Sequence, residues 1–220
     1  MSLPKCCLCF DKPNMTLEIM SQKIIVAGID TDTGKTVVSA ILTKALKADY
    51  WKPVQAGDLE NTDSLKVARW SPEATIHPEA YRLTQPMSPH AAADIDKISI
   101  EESDLKIPQT DNNLIIELAG GLMVPIRRDY LNIDWVAQSG LPVILVSNYY
   151  LGSINHTLLS LHLLKQRNVP LLGIIFNGDK NPSTFDVIMH RSGVRCLLEI
   201  QKEEAINEEV IKRYAERVQL

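Results

Sequence analysis

Residues 24–36 read Ile-Ile-Val-Ala-Gly-Ile-Asp-Thr-Asp-Thr-Gly-Lys-Thr, and this stretch decides the fold that the rest of the chain completes. The apolar run that stops at Gly28 predicts a buried strand, and Gly34-Lys35-Thr36 opens an amphipathic segment after a polar turn. A strand, a loop and a helix in this order form a cradle for phosphate, because the free N–H groups and the dipole of a helix N-terminus attract anions. The stretch therefore predicts a nucleotide site.

The loop departs from the standard phosphate-binding loop (P-loop) in its spacing. Five residues separate Gly28 from Gly34, whereas the standard motif has four. The ammonium group of Lys35 can reach phosphoryl oxygens, and the hydroxyl of Thr36 can complete the ligand shell of a magnesium ion. The alternative is an ordinary strand-to-helix turn with an exposed lysine, since Gly-Lys-Thr also occurs by chance.

The composition is that of a globular protein, and it argues against two classes of partner. The chain has 220 residues, of which 45% are hydrophobic and 23% charged, and this length suits one domain or two small ones. A net charge of −4 without a basic cluster argues against nucleic-acid binding. No apolar run approaches the ~20 residues of a membrane span. We therefore expect neither nucleic acid nor membrane as a partner.

The first 22 residues fit poorly with the pattern that follows them. Cys6, Cys7 and Cys9 crowd together there, without the paired spacing of a zinc site. We therefore expect residues 1–22 to be a disordered or dispensable extension, and residues 23–220 to form a single domain. Cysteine usage of this kind indicates a reducing, cytoplasmic environment.

Short apolar runs alternate with segments of helical periodicity along the rest of the chain. This alternation is typical of an α/β fold with a mostly parallel central sheet between two layers of helices, the three-layer sandwich of P-loop NTPases. The predicted strands are residues 23–27, 50–54, 114–117, 142–147, 171–177 and 194–200. The predicted helices follow Lys35, span 61–70 and 203–218, and span 153–167 with Ser153 as the cap, while residues 71–90 are predicted to form a long loop.

Polar residues follow several of the predicted strands, at the edge where ligands bind in such sheets. Glu117 ends an apolar strand, where a carboxylate is costly unless it is paired, so it is a candidate magnesium ligand with Thr36 and Asp63. Asp63 is equally well explained as a charge in the first turn of a helix. Lys52 is a further candidate for binding phosphate. The alternative is that its stem covers apolar surface while its ammonium group stays in water.

Two further polar residues have simple structural explanations beside their functional ones. We expect His90, in Ser88-Pro89-His90, to be a loop histidine rather than a catalytic base. Asn177 ends a predicted strand, where it either caps a turn or contacts a nucleobase through its amide.

Together these residues resemble the dethiobiotin synthetase family of biotin biosynthesis. The matching segments, in the order of that family, are residues 28–36, 52–54 with Gly57, 61–64, 88–90, 117–121, 134–135 and 151–156. The five-residue spacing before Gly34 is the family's own variant of the loop, and the similarity extends from about residue 23 to 177. The family converts 7,8-diaminononanoate, carbon dioxide and ATP, with Mg²⁺, into dethiobiotin, ADP and phosphate, through a carbamate and a carbamic-phosphoric anhydride.

The resemblance implies a role for each polar residue at the strand ends. Lys35, Lys52 and Thr31 are the implied catalytic residues, and Thr36, Asp63 and Glu117 are the implied magnesium ligands. The residues implied to bind the nucleotide are Asp30, Thr31, Asp32, Thr33, Gly34, Lys35, Thr36, Asp63, Glu117, Gly120, Gly121 and Asn177. The residues implied to bind the diamine substrate are Lys52, Ala56, Gly152, Ser153, Ile154 and Asn155. The last four begin a helix that binds the distal carboxylate of the substrate across a homodimer interface.

The chain departs from the family pattern at three positions. Leu118 stands where the family has glycine, Ala56 where serine is common, and Ile200-Gln201 where Ile-Pro is common near the nucleobase. These departures leave open a catalytically decayed relative.

A second alternative is a partition-type ATPase, a nucleotide-switched binding module, although Ile29 and Asp30 occupy the place of that group's signature lysine. A third, an amide synthase of cobyrinic-acid type, needs a glutaminase nucleophile, and no histidine follows Cys196.

Overall fold

Seven parallel strands form the central sheet in a computed structural model of the protein, which describes residues 22–220. Apart from Gln22, the N-terminal extension and its three cysteines lie outside the described residues, so the expectations for it stay predictions. The order of strands in the sheet is β11-β10-β9-β1-β6-β2-β4, and every neighbouring pair is parallel. These strands are β1 (Lys23–Gly28), β2 (Asp49–Trp51), β4 (Ile76–His77), β6 (Leu114–Gly121), β9 (Val143–Asn148), β10 (Leu171–Asn177) and β11 (Cys196–Ile200).

Four short strands form two small accessory sheets. β3 (Val54–Ala56) pairs in parallel with β5 (Tyr81–Leu83), and β7 (Pro125–Arg127) pairs antiparallel with β8 (Tyr130–Leu131). The α-helices are α1 (Lys35–Leu46), α2 (Asp63–Trp70), α3 (Pro89–Asp96), α4 (Asn132–Ser139), α5 (Ser153–Gln166), α6 (Pro182–Ser192) and α7 (Glu208–Ala215).

Helices cover both faces of the central sheet, which confirms the predicted three-layer α/β fold. Successive residues of β1 belong to two separate cores, because side chains alternate between the faces of a strand. Ile25 packs with residues of α3, α4, α5 and α6, whereas Ile24 packs with residues of α1, α2 and α7. None of the helices in residues 22–220 has the length and apolar content that a bilayer crossing requires.

Several predicted element bounds are wrong, and each has a local cause. The single strand predicted over residues 50–54 is interrupted at Lys52 and Pro53, because proline has no N–H for the ladder. The strand predicted over 114–117 continues through Gly121, and the loop predicted over 71–90 contains β4 and β5. The helix predicted over 203–218 is limited to α7, whose cap is Asn207, the acceptor for the Val210 N–H.

The helix that follows β9 begins differently from the prediction. Gly152 is the cap of α5, with a left-handed φ of 105°, and Ser153 is the first helical residue. The Ser153 hydroxyl is buried and has no hydrogen-bond partner among the described residues. Ser153 is therefore not the helix cap. Sequence reasoning also missed α3, α4 and α6.

Candidate active site

A cavity of about 660 Å³ lies at the carboxyl edge of the central sheet, where parallel α/β sheets bind ligands. The loop before α1 forms one wall, the segment after β2 forms a second, and β6 forms the floor. The predicted site residues that line the cavity are Thr31, Asp32, Gly34, Lys35, Thr36, Lys52, Ala56, Asp63, Glu117 and Gly120. The fold thus brings together both lysines and all three candidate magnesium ligands.

The loop between β1 and α1 requires glycine at its last position. Gly34 has a left-handed φ of 88°, and a Cβ there would overlap the amide nitrogen of Asn177. That amide donates a hydrogen bond to the Thr33 carbonyl over 3.1 Å. Asn177 therefore holds the loop in place, and a contact with a nucleobase stays a prediction.

Lys35 is buried beneath this loop. Its ammonium group donates to the carbonyl oxygen of Asp30 over 2.8 Å, so the side chain curls back under the loop backbone. Burial, assisted by the nearby positive charge of Lys52, lowers the pKa of Lys35 to about 8, against the opposing charges of Glu117 and Asp63. A neighbouring anion would raise this pKa again, because it favours the charged form of Lys35.

Lys52 lies between two carboxylates. Its Nζ is 2.6 Å from Asp63 Oδ2 and 3.2 Å from Glu117 Oε1. The side chain is only 6% exposed, so the alternative of a lysine with its ammonium group in water is wrong. Burial alone would lower the pKa of Lys52, but the charges of Glu117 and Asp63 outweigh it and raise that pKa.

The Asp63 carboxylate is held ionised by the donors around it. Burial would raise the pKa of Asp63, but the Lys52 ammonium group and further donors lower it below its ordinary value. Asp63 begins α2, so the helix dipole also favours its charge, which confirms the first-turn explanation, and its role as a magnesium ligand stays a prediction. Thr36 donates from its hydroxyl to Glu117 Oε1 over 2.9 Å. Oxygen atoms from all three candidate magnesium ligands therefore border one space.

These oxygens suit a magnesium ion that also binds phosphate. Mg²⁺ prefers hard oxygen ligands and usually takes one or two carboxylates together with substrate phosphates. Within residues 22–220, no group of three or more histidines, cysteines and carboxylates could hold a metal alone. Mg²⁺ in this cavity could use the Thr36 hydroxyl beside the two carboxylates and complete its shell with water or phosphate oxygens.

Tyr50 belongs to the site and was missed from the sequence. Its hydroxyl donates to Glu117 Oε2 over 2.9 Å, and the side chain is fully buried. Burial, followed by the charge of Glu117, raises the pKa of Tyr50 well above its ordinary value, so the phenol stays protonated. Residues two apart in a strand share a face. In the predicted strand over residues 50–54, Tyr50 and Lys52 are two apart, so Tyr50 could have been predicted to lie on the side of the site.

Other predicted site residues lie near the cavity without lining it. Asp30 accepts the Thr31 N–H at its carboxylate, Thr33 is fully buried, and Gly121 is buried in β6. Leu118 packs in the core on the other face of β6, so it does not narrow the cavity, whereas Ala56 faces the cavity directly. His90 lies in the first turn of α3, where Ser88 Oγ is 3.0 Å from its Nδ1, so the expectation of a loop histidine is wrong.

The four residues 152–155 also lie outside the cavity lining. Gly152 and Asn155 are exposed at the start of α5, and neighbouring Leu151 is fully exposed. These positions do not complete the cavity within one chain. A role for them across a subunit interface stays a prediction.

Solved structures with similar folds bind nucleotides, according to their descriptions. A putative plasmid partition protein from Borrelia burgdorferi bound to AMPPNP matches with a TM-score of 0.56 and 12% identity, covering 90% of this chain and 96% of that one. The septum site-determining protein MinD complexed with Mg-ADP from Pyrococcus horikoshii matches with a TM-score of 0.55 and 17% identity, covering 90% and 95%. At these identities the likeness shows the fold alone, that of P-loop NTPases.

Curated relatives are far more similar in sequence. The ATP-dependent dethiobiotin synthetase BioD of Christiangramia forsetii is 48% identical over 200 residues, covering 90% of this chain and 96% of the relative. The protein of the same name from Cytophaga hutchinsonii is 49% identical over 197 residues, covering 88% and 95%. A family model described as an AAA domain matches residues 22–210. The chain belongs to this AAA-domain family and, within it, to the ATP-dependent dethiobiotin synthetases.

Proposed function

We propose that the protein converts 7,8-diaminononanoate, carbon dioxide and ATP into dethiobiotin, ADP and phosphate, with Mg²⁺ as cofactor. Membership of the dethiobiotin synthetase family makes it an ATP-dependent ligase. The observation that carries the proposal is the buried ion network of Lys52, Asp63 and Glu117, which borders the same cavity as the phosphate-binding loop. A carbamate and a triphosphate both carry negative charge, so bringing them together requires cations and oriented donors.

The two lysines divide this task. An amine of the substrate adds to carbon dioxide and loses a proton to water, which gives a carbamate whose oxygen attacks the γ-phosphoryl group and releases ADP. Lys35 would exchange its bond to the Asp30 carbonyl for phosphoryl oxygens, and Lys52 would face the carbamate. Thr31 lines the cavity and would donate its hydroxyl to either anion. The second amine then attacks the carbamic-phosphoric anhydride at carbon, closes the ureido ring and expels phosphate.

Thr36, Asp63 and Glu117 would hold the magnesium ion. When bound, Mg²⁺ would offset the negative charge that develops during phosphoryl transfer. Lys52 contacts both carboxylates through one ammonium group, so it is held in place and aimed at the cavity. It would thereby act on the substrate from a fixed position.

The start of α5 supports a substrate site shared between two subunits. The helix N-terminus suits the distal carboxylate of the substrate, which needs an anion site away from the reacting amines. Exposed Leu151 and Leu159 offer apolar surface for a homodimer, and exposed Asn155 lies between them in the sequence. A cytoplasmic location is likewise a prediction, which rests on cysteine usage.

One labelling experiment tests the proposal. The purified protein is incubated with 7,8-diaminononanoate, ATP, Mg²⁺ and ¹³C-labelled bicarbonate, and the product is analysed by mass spectrometry. We expect dethiobiotin with the label in its ureido carbon, and none when ATP is omitted. Absence of labelled dethiobiotin from folded, ATP-binding protein would favour the catalytically decayed relative.

A further inference from the structure

Tyr50 contacts Glu117 from beneath the floor of the cavity. The phenol is fully buried among residues that pack against α1, and its hydroxyl donates to Glu117 Oε2 over 2.9 Å. Tyr50 does not line the cavity. It therefore affects bound molecules only through Glu117.

The two oxygens of Glu117 have different neighbours. Oε1 accepts from Thr36 over 2.9 Å and from Lys52 over 3.2 Å, and both of these residues line the cavity. Oε2 accepts from Tyr50. One oxygen thus faces the groups that would meet the nucleotide, and the other faces the protein interior.

A neutral donor suits Oε2 of Glu117, the oxygen that faces the protein interior. Buried carboxylates need hydrogen bonds, but a second cation on Glu117 would weaken its attraction for Mg²⁺. The torsion that rotates a glutamate carboxylate is soft, so without a donor at Oε2 only the two hydrogen bonds at Oε1 would limit its rotation. The Tyr50 hydroxyl restrains this rotation and leaves the charge of Glu117 available.

We infer that Tyr50 is a positioning residue, which holds Glu117 so that Oε1 is directed at the magnesium–nucleotide site. The inference rests on the proposed function, because that function makes Glu117 a magnesium ligand. Partners that orient a metal ligand contribute about 10- to 100-fold to metal affinity or activity. We expect Tyr50 to contribute to metal affinity by a factor in this range, although it touches no substrate.

ADP binding at varied Mg²⁺ concentration tests the inference without the diamine. Isothermal titration compares the wild-type protein with Tyr50→Phe, which removes only the hydroxyl. We expect the Mg²⁺ concentration for half-maximal ADP binding to rise about tenfold in Tyr50→Phe, with ADP binding in EDTA unchanged. The matched control is Tyr130→Phe, which removes a buried hydroxyl that donates to Gln138, away from the cavity. Its Mg²⁺ dependence should equal that of the wild type.

The outcomes separate this inference from the proposed function. An unchanged Mg²⁺ dependence in Tyr50→Phe, beside a Mg²⁺-dependent wild type, overturns the role of Tyr50 alone. ADP binding that ignores Mg²⁺ in the wild type overturns both the role of Tyr50 and the assignment of Glu117. If Tyr50→Phe does not fold, the double variant Tyr50→Phe/Glu117→Gln replaces the buried charge by a neutral amide. Recovery of folded protein then supports a role through Glu117, and failure of the double variant to fold contradicts it.

Discussion

A polar cluster around a buried charge lies at each end of strand β2, and the two clusters differ in what they face. At the amino end, the Asp49 carboxylate accepts from Thr110 over 2.6 Å and Asn112 over 3.0 Å, and it lies 3.1 Å from His77. Just beyond the carboxyl end, Lys52 joins Glu117 and Asp63. Both clusters obey the rule that buried charges need partners.

The difference between the clusters lies in the space beside them. No residue of the Asp49 cluster lines the cavity. The donors around Asp49 bond to its carboxylate and do not point at a ligand site. The Lys52 cluster borders about 660 Å³ of open volume next to the phosphate-binding loop. A buried charge alone is therefore poor evidence of function, and a buried charge beside a ligand-sized cavity is much stronger evidence.

Removing a lysine from the cavity should have the largest effect on the reaction. We expect Lys52→Ala and Lys35→Ala each to lower turnover about 100-fold or more, as loss of a donor to developing negative charge does. Lys44→Ala is the control, since Lys44 pairs with Glu73 and Glu208 on the surface. Steady-state kinetics at saturating ATP measures all three. A Lys52→Ala variant with full turnover would remove that residue from the mechanism.

Neutralising one carboxylate at each end of β2 should give opposite outcomes. Glu117→Gln should lower turnover at least about tenfold through lost metal affinity, because it changes a proposed magnesium ligand. Asp49→Asn should leave the turnover of folded protein near the wild-type value but lower the free energy of unfolding by about 1–3 kcal/mol, because three partly buried donors lose a charged acceptor. Kinetics and urea unfolding on both variants make the comparison. Equal loss of turnover in the two variants would break the distinction between the clusters.

The smallest effect is a pH dependence of stability that belongs to Asp49. Burial would raise the pKa of Asp49, but hydrogen bonds from Thr110, Asn112 and His77 hold it below the ordinary 3.8. A depressed carboxyl pKa stabilises the folded state above the unfolded value, and this contribution is lost as the pH falls through the folded value. The difference in unfolding free energy between wild type and Asp49→Asn should therefore be constant above about pH 5 and shrink below 3.8. Urea unfolding at a series of pH values measures it, and a difference that grows on acidification would contradict the assignment.

Local signals in the sequence predicted the sheet and the loop well. Strand 171–177 has its predicted bounds, and Gly34-Lys35-Thr36 begins α1 as the loop motif requires. These features depend on residues that are neighbours in the chain. Positions at the predicted strand ends singled out Lys52, Asp63 and Glu117, family resemblance supplied their roles, and the fold does bring the three together.

Contacts between distant residues were harder to predict. Tyr50 meets Glu117 across 67 positions of sequence, and a tyrosine in an apolar strand looks like an ordinary core residue. Pro53 separates β2 from β3. The sequence prediction joined them into one strand because it followed the apolar residues and ignored the missing N–H of proline. Helix α3 was missed because its Ser88-Pro89 start lies in a stretch rich in turn-forming residues, although proline is common at the first position of a helix.

Phosphate release from ATP tests the central claim most directly. The purified protein is assayed with 7,8-diaminononanoate and bicarbonate together, and with each omitted in turn. The account predicts rapid phosphate release only in the complete mixture, because the carbamate that attacks the γ-phosphoryl group requires both compounds. Release at the same rate without the diamine would contradict it and point to a nucleotide-switched ATPase.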